Sequence, residues 1–462
     1  MCDEHQQLDE DYDNIDINRL IDKCRKITDN SFNVYNNHPY YAAREVDQKL
    51  GQFYDKARML LKTDKLSALA YFSAVIESVW HNIGEVDDSD GGLSGTVDLC
   101  IDELGKLLPE INLPAGERNK WQKRIFRMFE KNDYGVGDDL DQLLLDTCKK
   151  EDAEFMINLG QNALNNLKIK SKPENDDDTD ENEDDYHSKY TTQRFAVFIA
   201  SLYKINDNQE IILDLYKNLR LHFDYVMELL NQKKITESTE YADTNLSGGY
   251  DINRFAEALI ENKYKNETLV FLESITKKIK ERIPYYEDIF EKLAKLYEWK
   301  KDFNKSLDIY FMLYKQHPQI NLYKETERVG AILDVKDKIK EEIISFLKEK
   351  NDNKELVETY LYLKELEAAL EYLKKENRYY GDIHLRVALA CEQKYPDEAI
   401  NIYKAEIQSL INRASRSYYS ETVKYFKKIQ KLSGPEIYQN YVNKMREENK
   451  RRPAFIDEIR KV

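Results

Sequence analysis

Five stretches of this sequence place a small or apolar residue four positions ahead of an aromatic or large apolar one: Ser67 to Tyr71, Thr268 to Leu272, Ser306 to Tyr310, Ala369 to Leu373 and Ala399 to Tyr403. A step of four is about one helical turn, so each pair shares a helix face. The small residue lets a neighbouring helix approach, and the large one fills the gap beside it. Repetition of that unit predicts an all-α chain, an α-solenoid of irregular helical hairpins. Such a fold offers surface rather than a chemical centre, so the expectation is a binding protein with no catalytic role.

The rest of the composition agrees with long helices and short turns. Of 462 residues, 34% are charged, while Gly numbers only 15 and Pro only 9. Tyr numbers 33 against 17 Phe. A thin solenoid keeps most rings near water, which suits a phenol, and an A/T-rich coding sequence would raise Tyr in the same way; both readings stand. The net charge is −16, of which nine negative charges fall between Glu174 and Asp185 with no basic residue among them. What remains is mildly acidic, which argues against a broad nucleic-acid surface, because phosphate contacts need clustered Lys and Arg.

Five scattered cysteines (Cys2, Cys24, Cys100, Cys148, Cys391) show no metal-ligand spacing, as expected of a reducing cytoplasm. The acidic start lacks the apolar stretch of a signal peptide, and Phe195 to Tyr203 is too short to span a bilayer. A cytoplasmic protein without membrane partners is therefore expected.

Four regions follow from charge and periodicity. Residues 1–16 are acidic and aperiodic and read as disordered; 17–170 form an N-terminal helical domain; 171–188 an acidic disordered linker; 189–462 a C-terminal solenoid. Within the second region, apolar spacing predicts helices near 17–28, 42–62, 65–83, 96–108, 119–130, 140–149 and 153–167, with Ser94 capping the fourth. From Glu287 the pattern is most regular. Counting Glu287 as position 1, Phe290 falls at 4, Leu293 at 7, Ala294 at 8, Tyr297 at 11, Ser306 at 20, Tyr310 at 24, Leu313 at 27 and Pro318 at 32. This resembles the tetratricopeptide pattern of about 34 residues. Room for one further, degenerate unit centred near Ile339 lies between Ser306 and Ala369.

No catalytic or metal constellation emerges. The loop at Asp87 has Gly92 at the sixth place of a calcium loop, but Ser89, Gly91 and Asp98 stand where further oxygen ligands and a bidentate Glu belong. Its carboxylates are better used at a helix N-terminus. The Asp133 to Asp138 segment lacks the Lys-Ser/Thr ending of a phosphate loop, so Gly135 and Gly137 read as turn glycines with positive φ. The seven histidines are isolated. No cofactor and no metal site is expected.

Three segments together resemble the helical region of prokaryotic, notably archaeal, proteins carrying a SWIM-type zinc finger. They are Ile83-Gly84-Glu85-Val86-Asp87-Asp88-Ser89-Asp90-Gly91, the Asp133 to Asp138 loop, and the C-terminal pattern from Tyr418 that includes Tyr425, Ile429, Tyr438, Tyr441, Met445, Arg446 and Arg451-Arg452-Pro453. The resemblance implies the helical platform from about residue 40 onward. The family's finger needs Cys-x-Cys and then Cys-x-His; this sequence has no Cys-x-Cys, so the finger's contacts transfer to no residue here.

The leading expectation is a scaffold that binds one or more proteins. On the first helix of the Glu287 unit, Asp288, Glu291, Lys295, Glu298 and Trp299 fall on the outward side. Trp299 among charges is either a binding hot spot or a ring resting on the next hairpin. A nucleic-acid-associated regulator is the alternative, with Arg446, Lys450, Arg451 and Arg452 as candidate contacts; the acids interleaved with them favour a solvated helix face instead.

Overall fold

A computed structural model describes residues 15–34, 38–131, 135–170, 183–279, 285–375 and 381–462, with the side chains of 168–170 and 183–187 left aside. The expected disordered start and most of the acidic run lie outside the described residues. All regular structure among the described residues is helical. They divide into two compact units, 1–245 and 246–462.

The first unit holds α1 (Ile17–Thr28), α2 (Pro39–Leu60), α3 (Lys65–Asn82), α4 (Gly92–Leu107), α5 (Ala115–Glu130), α6 (Leu140–Asp146), α7 (Ala153–Lys170), α8 (Glu183–Ile205), α9 (Glu210–Asn218), α10 (His222–Asn231) and α11 (Ile235–Asn245). The second holds α12 (Gly249–Glu261), α13 (Lys265–Lys278), α14 (Glu287–Trp299), α15 (Phe303–Gln316), α16 (Ile320–Ile332), α17 (Lys336–Lys350), α18 (Asn353–Tyr362), α19 (Leu366–Lys375), α20 (Gly381–Cys391), α21 (Pro396–Asn412), α22 (Arg416–Leu432), α23 (Pro435–Glu448) and α24 (Pro453–Ile459).

Helix α3 is the axis of the first unit. Every residue from Ala68 to Val79 is buried, and α1, α2 and α4 all pack on it. The run Ala68 to Ile76 is apolar but for Ser73, and a helix apolar all round must be enclosed. The first of the five sequence pairs shifts by one place here. Ser67 is only half-buried, its N–H and hydroxyl donating to the capping Asp64 carboxylate, whereas Ala68 and Phe72 sit at zero exposure. Helix α7 ends before the acidic run and α8 begins with its last acids, Glu183 to Asp185; the two pack on one another inside this unit.

The second unit is a succession of hairpins. Its logic is a repeated turn. After α14 the chain places Lys301 at φ 62°, the Lys301 N–H donates to the Glu298 carbonyl (2.9 Å), and the Asp302 N–H reaches back to the Tyr297 carbonyl (2.9 Å). This Schellman closure satisfies carbonyls that the helix end leaves free. The same pair of bonds recurs at Lys263, Asp334 and Lys364, and in the first unit at Arg220 and Lys233. Four residues into each second helix the chain then places its close-contact residue. Ser238, Thr268, Ser306, Ala369 and Ala399 occupy that position fully buried, so the run that the sequence pairs open at Thr268 starts one hairpin earlier, at Ser238.

The degenerate unit expected near Ile339 is α16–α17, and it inverts the usual sizes. Ile339 stands where the flanking units have Ser306 and Ala369, and Gly330 stands where the Glu287 unit has Tyr297. A Cβ on Gly330 would lie 2.1 Å from Ile339 Cδ1, so the glycine is the space the isoleucine fills. The large and the small residue of the pair have traded sides.

Candidate functional site

The first-helix face of the second unit is where the sequence places a binding surface. Asp288, Lys295 and Trp299 are exposed on α14, while Glu291 and Glu298 are half-buried. Glu298 is committed to holding hairpins together: its Oε1 accepts from Arg328 Nη2 on α16 (2.8 Å), the Tyr310 hydroxyl (3.3 Å) and the Ser306 hydroxyl (3.4 Å).

That bond belongs to a ladder. Lys292 on α14 meets Glu257 on α12 (3.0 Å), Arg328 on α16 meets Glu298, the Tyr362 hydroxyl on α18 donates to Glu327 on α16 (2.8 Å), Arg386 on α20 meets Glu358 on α18 (2.6 Å), and Lys428 on α22 meets Glu392, just past α20 (2.6 Å). Five successive first helices are each tied to the one before by a glutamate and a donor. Each exposed pair contributes little alone, but the regular spacing fixes which turn of one helix faces which turn of the next. Glutamates spaced along a helix read in sequence as a solvated face, and nothing local reveals a partner 28 to 36 residues away.

Trp299 is one of the exposed aromatics on these first helices, as is Tyr250 on α12. Trp299 is 45% exposed, with Lys265 Nζ 5.5 Å and Lys300 Nζ 5.1 Å from its ring centroid. Lys265 opens α13, so the indole leans toward the preceding hairpin's turn. The face left open to solvent is a rigid apolar plate ringed by ammonium groups, suited to an apolar side chain next to a carboxylate.

The basic C-terminal turns are largely engaged. Arg452 Nη1 donates to the Ile411 carbonyl at the end of α21 (2.6 Å), Lys450 pairs with Glu447 (2.8 Å), and Lys461 pairs with Glu458. Arg451 is exposed and Arg446 half-buried. These turns do not gather into a cationic patch.

The two loops resolve as structure. Asp88 caps α4, its carboxylate accepting from the Leu93 N–H (2.9 Å), the Ser94 N–H (3.0 Å) and the Ser94 hydroxyl (2.9 Å). The capping residue is therefore Asp88; Ser94, expected in that role, sits inside the first turn because α4 starts at Gly92. Gly135 and Gly137 adopt φ 70° and 78°, as a glycine turn requires. Among the described residues no group of three or more His, Cys, Asp or Glu is arranged to hold a metal ion. Cys24, Cys100, Cys148 and Cys391 are free, and burial pushes each thiol up, Cys148 to about 11, so none is a thiolate nucleophile near neutrality. Among the described residues no helix is long and apolar enough to cross a membrane.

No protein-family model matches the chain, and no curated protein matches it. Solved structures align along most of its length. A circular tandem repeat protein is 11% identical, covering 96% of this chain and 97% of its own at a TM-score of 0.22. The tetratricopeptide domain of P58(IPK) is 12% identical, covering 89% and 97% at 0.20. A human IFIT1 dimer with m7Gppp-AAAA is 12% identical, covering 92% and 94% at 0.22. At such TM-scores these likenesses carry nothing about a ligand or partner; the all-α, tetratricopeptide-like solenoid rests on the hairpins themselves.

Proposed function

We propose that this chain is a non-catalytic scaffold that binds one or more proteins through its helical hairpins. The observation supporting it is Trp299, a half-exposed indole between two lysines beside the inter-hairpin ladder, with Asp288 and Lys295 exposed on the same helix. Large rigid aromatics at the centre of such a surface dominate binding energy, and losing one costs about 2 kcal/mol or more.

The test is affinity capture from the native cytoplasm, with nuclease present, followed by mass spectrometry of wild type, Trp299→Ala and Lys295→Glu. Proteins that persist through nuclease and are lost with Trp299→Ala support the scaffold and its face. An identical set from all three variants overturns the face. Partners that vanish on nuclease treatment overturn the protein-scaffold reading and put the nucleic-acid-associated regulator, with its SWIM-like helical region, in its place.

A further inference from the structure

A groove of about 720 Å³ opens in the first unit between α1, α3 and α5, and its charge runs against that of the chain. Six cations and three carboxylates line it, in a protein of net charge −16. The inner part is self-neutralised. Glu77, buried beneath it, takes the Arg124 guanidinium in two hydrogen bonds and lies 3.6 Å from Arg25; Arg124 also donates to Asp22 (2.6 Å). Lys120 is held by Glu117 (2.6 Å).

That leaves Lys123, Arg127 and Lys131. All three are exposed, and no hydrogen bond or ion pair engages them among the described residues. They stand at steps of four along α5 and its end, so their charges recur about every 6 Å. Opposite them the end of α3 offers the half-buried Trp80 with His81 against it, ring centroids 4.8 Å apart. Like charges at i and i+4 on a helix repel one another, so a row of one sign that makes no contact inside the fold destabilises its helix slightly.

We infer that this groove docks an acidic peptide segment of a partner protein, its carboxylates on Lys123, Arg127 and Lys131 and an apolar residue on Trp80. Glu or Asp at every fourth residue of a helix has the same 6 Å rise as the cation row. A nucleic-acid strand fits less well: it carries a phosphate at every nucleotide, and Glu130, between Arg127 and Lys131, interrupts the cation row for an unbroken polyanion. A peptide sets a neutral residue against that acid.

The site is separate in sequence and unit from the Trp299 face, so its success or failure leaves that face untouched. The probe is a fluorescein-labelled synthetic peptide of about 16 residues with Glu at every fourth position and one central Leu, measured by anisotropy on the full chain at low salt. Controls are the same peptide with Gln for Glu, a short oligothymidine, and Trp299→Ala. Expected is saturable binding of the Glu peptide alone, weakened about tenfold or more by Lys123→Glu/Arg127→Glu and by added salt, and unchanged in Trp299→Ala. Circular dichroism of the double variant should match wild type, since neither side chain supports the fold. No saturable binding, equal binding of the Gln peptide, or indifference to the double variant overturns the inference; so does an oligothymidine that displaces the peptide through the same two residues.

Discussion

Helix α3 and helix α21 are nearly the same length, yet they are buried in different ways. In α3 each of the twelve residues from Ala68 to Val79 is enclosed; in α21 burial recurs at Ala399, Ile400, Tyr403, Glu406, Ile407, Leu410 and Ile411, a stripe with solvent beyond it. The first is the centre of a bundle that α1, α2 and α4 share. The second touches chiefly the helices next to it in the chain, α20 and α22. A bundle core couples distant segments to one side chain, whereas a hairpin stack passes stability only between neighbours.

The widest separation between the two comes from cavities. Phe72→Ala empties a fully buried site beside Tyr54 on α2 and should cost about 3–5 kcal/mol, felt across α1 to α4 together. Leu313→Ala, equally buried in α15, should cost about 2–4 kcal/mol and loosen only α14 to α16. Hydrogen-exchange mass spectrometry reads both. Loss of protection confined to α3 in the first variant, or spreading from α12 to α24 in the second, would break the distinction.

How much of this was legible beforehand differs between the units for the same reason. Helices were legible more than their ends: α1 at Ile17–Thr28 matches its expected span and the Glu287 unit buries Phe290, Leu293, Ala294, Tyr297, Ser306, Tyr310 and Leu313 as the pattern requires, but α4 and α5 each start four residues before the expected 96 and 119. Periodicity along a chain reports which face is covered, not by what. In α3 the apolar run from Ala68 to Ile76 already implies enclosure on every side, whereas the place of Ser67 depends on its bonds to the capping Asp64 three residues back, which periodicity does not show. The hairpin turns carried no glycine to mark them, with Lys301 and its counterparts holding positive φ instead. On the candidate face Trp299 is open, while Glu298 is engaged by Arg328, 30 residues on, which no local pattern indicates. The cation row of α5 does not stand out in the sequence, because Lys120, Lys123, Arg124, Arg127 and Lys131 read alike and only the fold shows that Glu117 and Glu77 engage two of them.

Within the second unit the swapped pair sharpens what a degenerate repeat means. Gly330→Ala should destabilise by about 1–3 kcal/mol, since the new methyl meets Ile339 Cδ1 in a buried position. Adding Ile339→Ala should recover part of that loss and leave a pair of small residues like the flanking units. Urea midpoints of the two singles and the double give the coupling. Additive effects would mean that the two side chains do not share one space.

Glu355 on α18 gives the second unit a pH response. It is 9% exposed, and burial first, then Asp352 and Glu358, pushes its carboxyl up to about 7. The folded form thus keeps a proton that the unfolded chain, at about 4.3, has lost. Between those values the folded state binds more protons, so stability falls as pH rises toward 7 and the full penalty applies above it. Glu355→Gln should flatten this slope, being more stable than wild type at about pH 8 and little different at about pH 5, by urea midpoints. Parallel wild-type and variant curves would show that the carboxyl titrates as it does in the unfolded chain.

The smallest effect tests the turn that makes the stack. Lys301 holds φ 62°, a region where a Cβ crowds the following carbonyl, and it does so at the residue that closes α14. The glycine ordinarily found there would relieve that crowding while gaining freedom in the unfolded chain, and the two partly cancel. Lys301→Gly should therefore stabilise the second unit by up to about 1 kcal/mol. The same change at Lys263 and Lys364 should act alike, because each makes the same pair of backbone bonds. Lys301→Val should do the reverse and cost more than Lys301→Ala, since branching at Cβ worsens that clash. If glycine destabilises instead, the lysine side chain is supporting the turn by some contact of its own. The repeat would then be held by sequence at that turn rather than by backbone geometry.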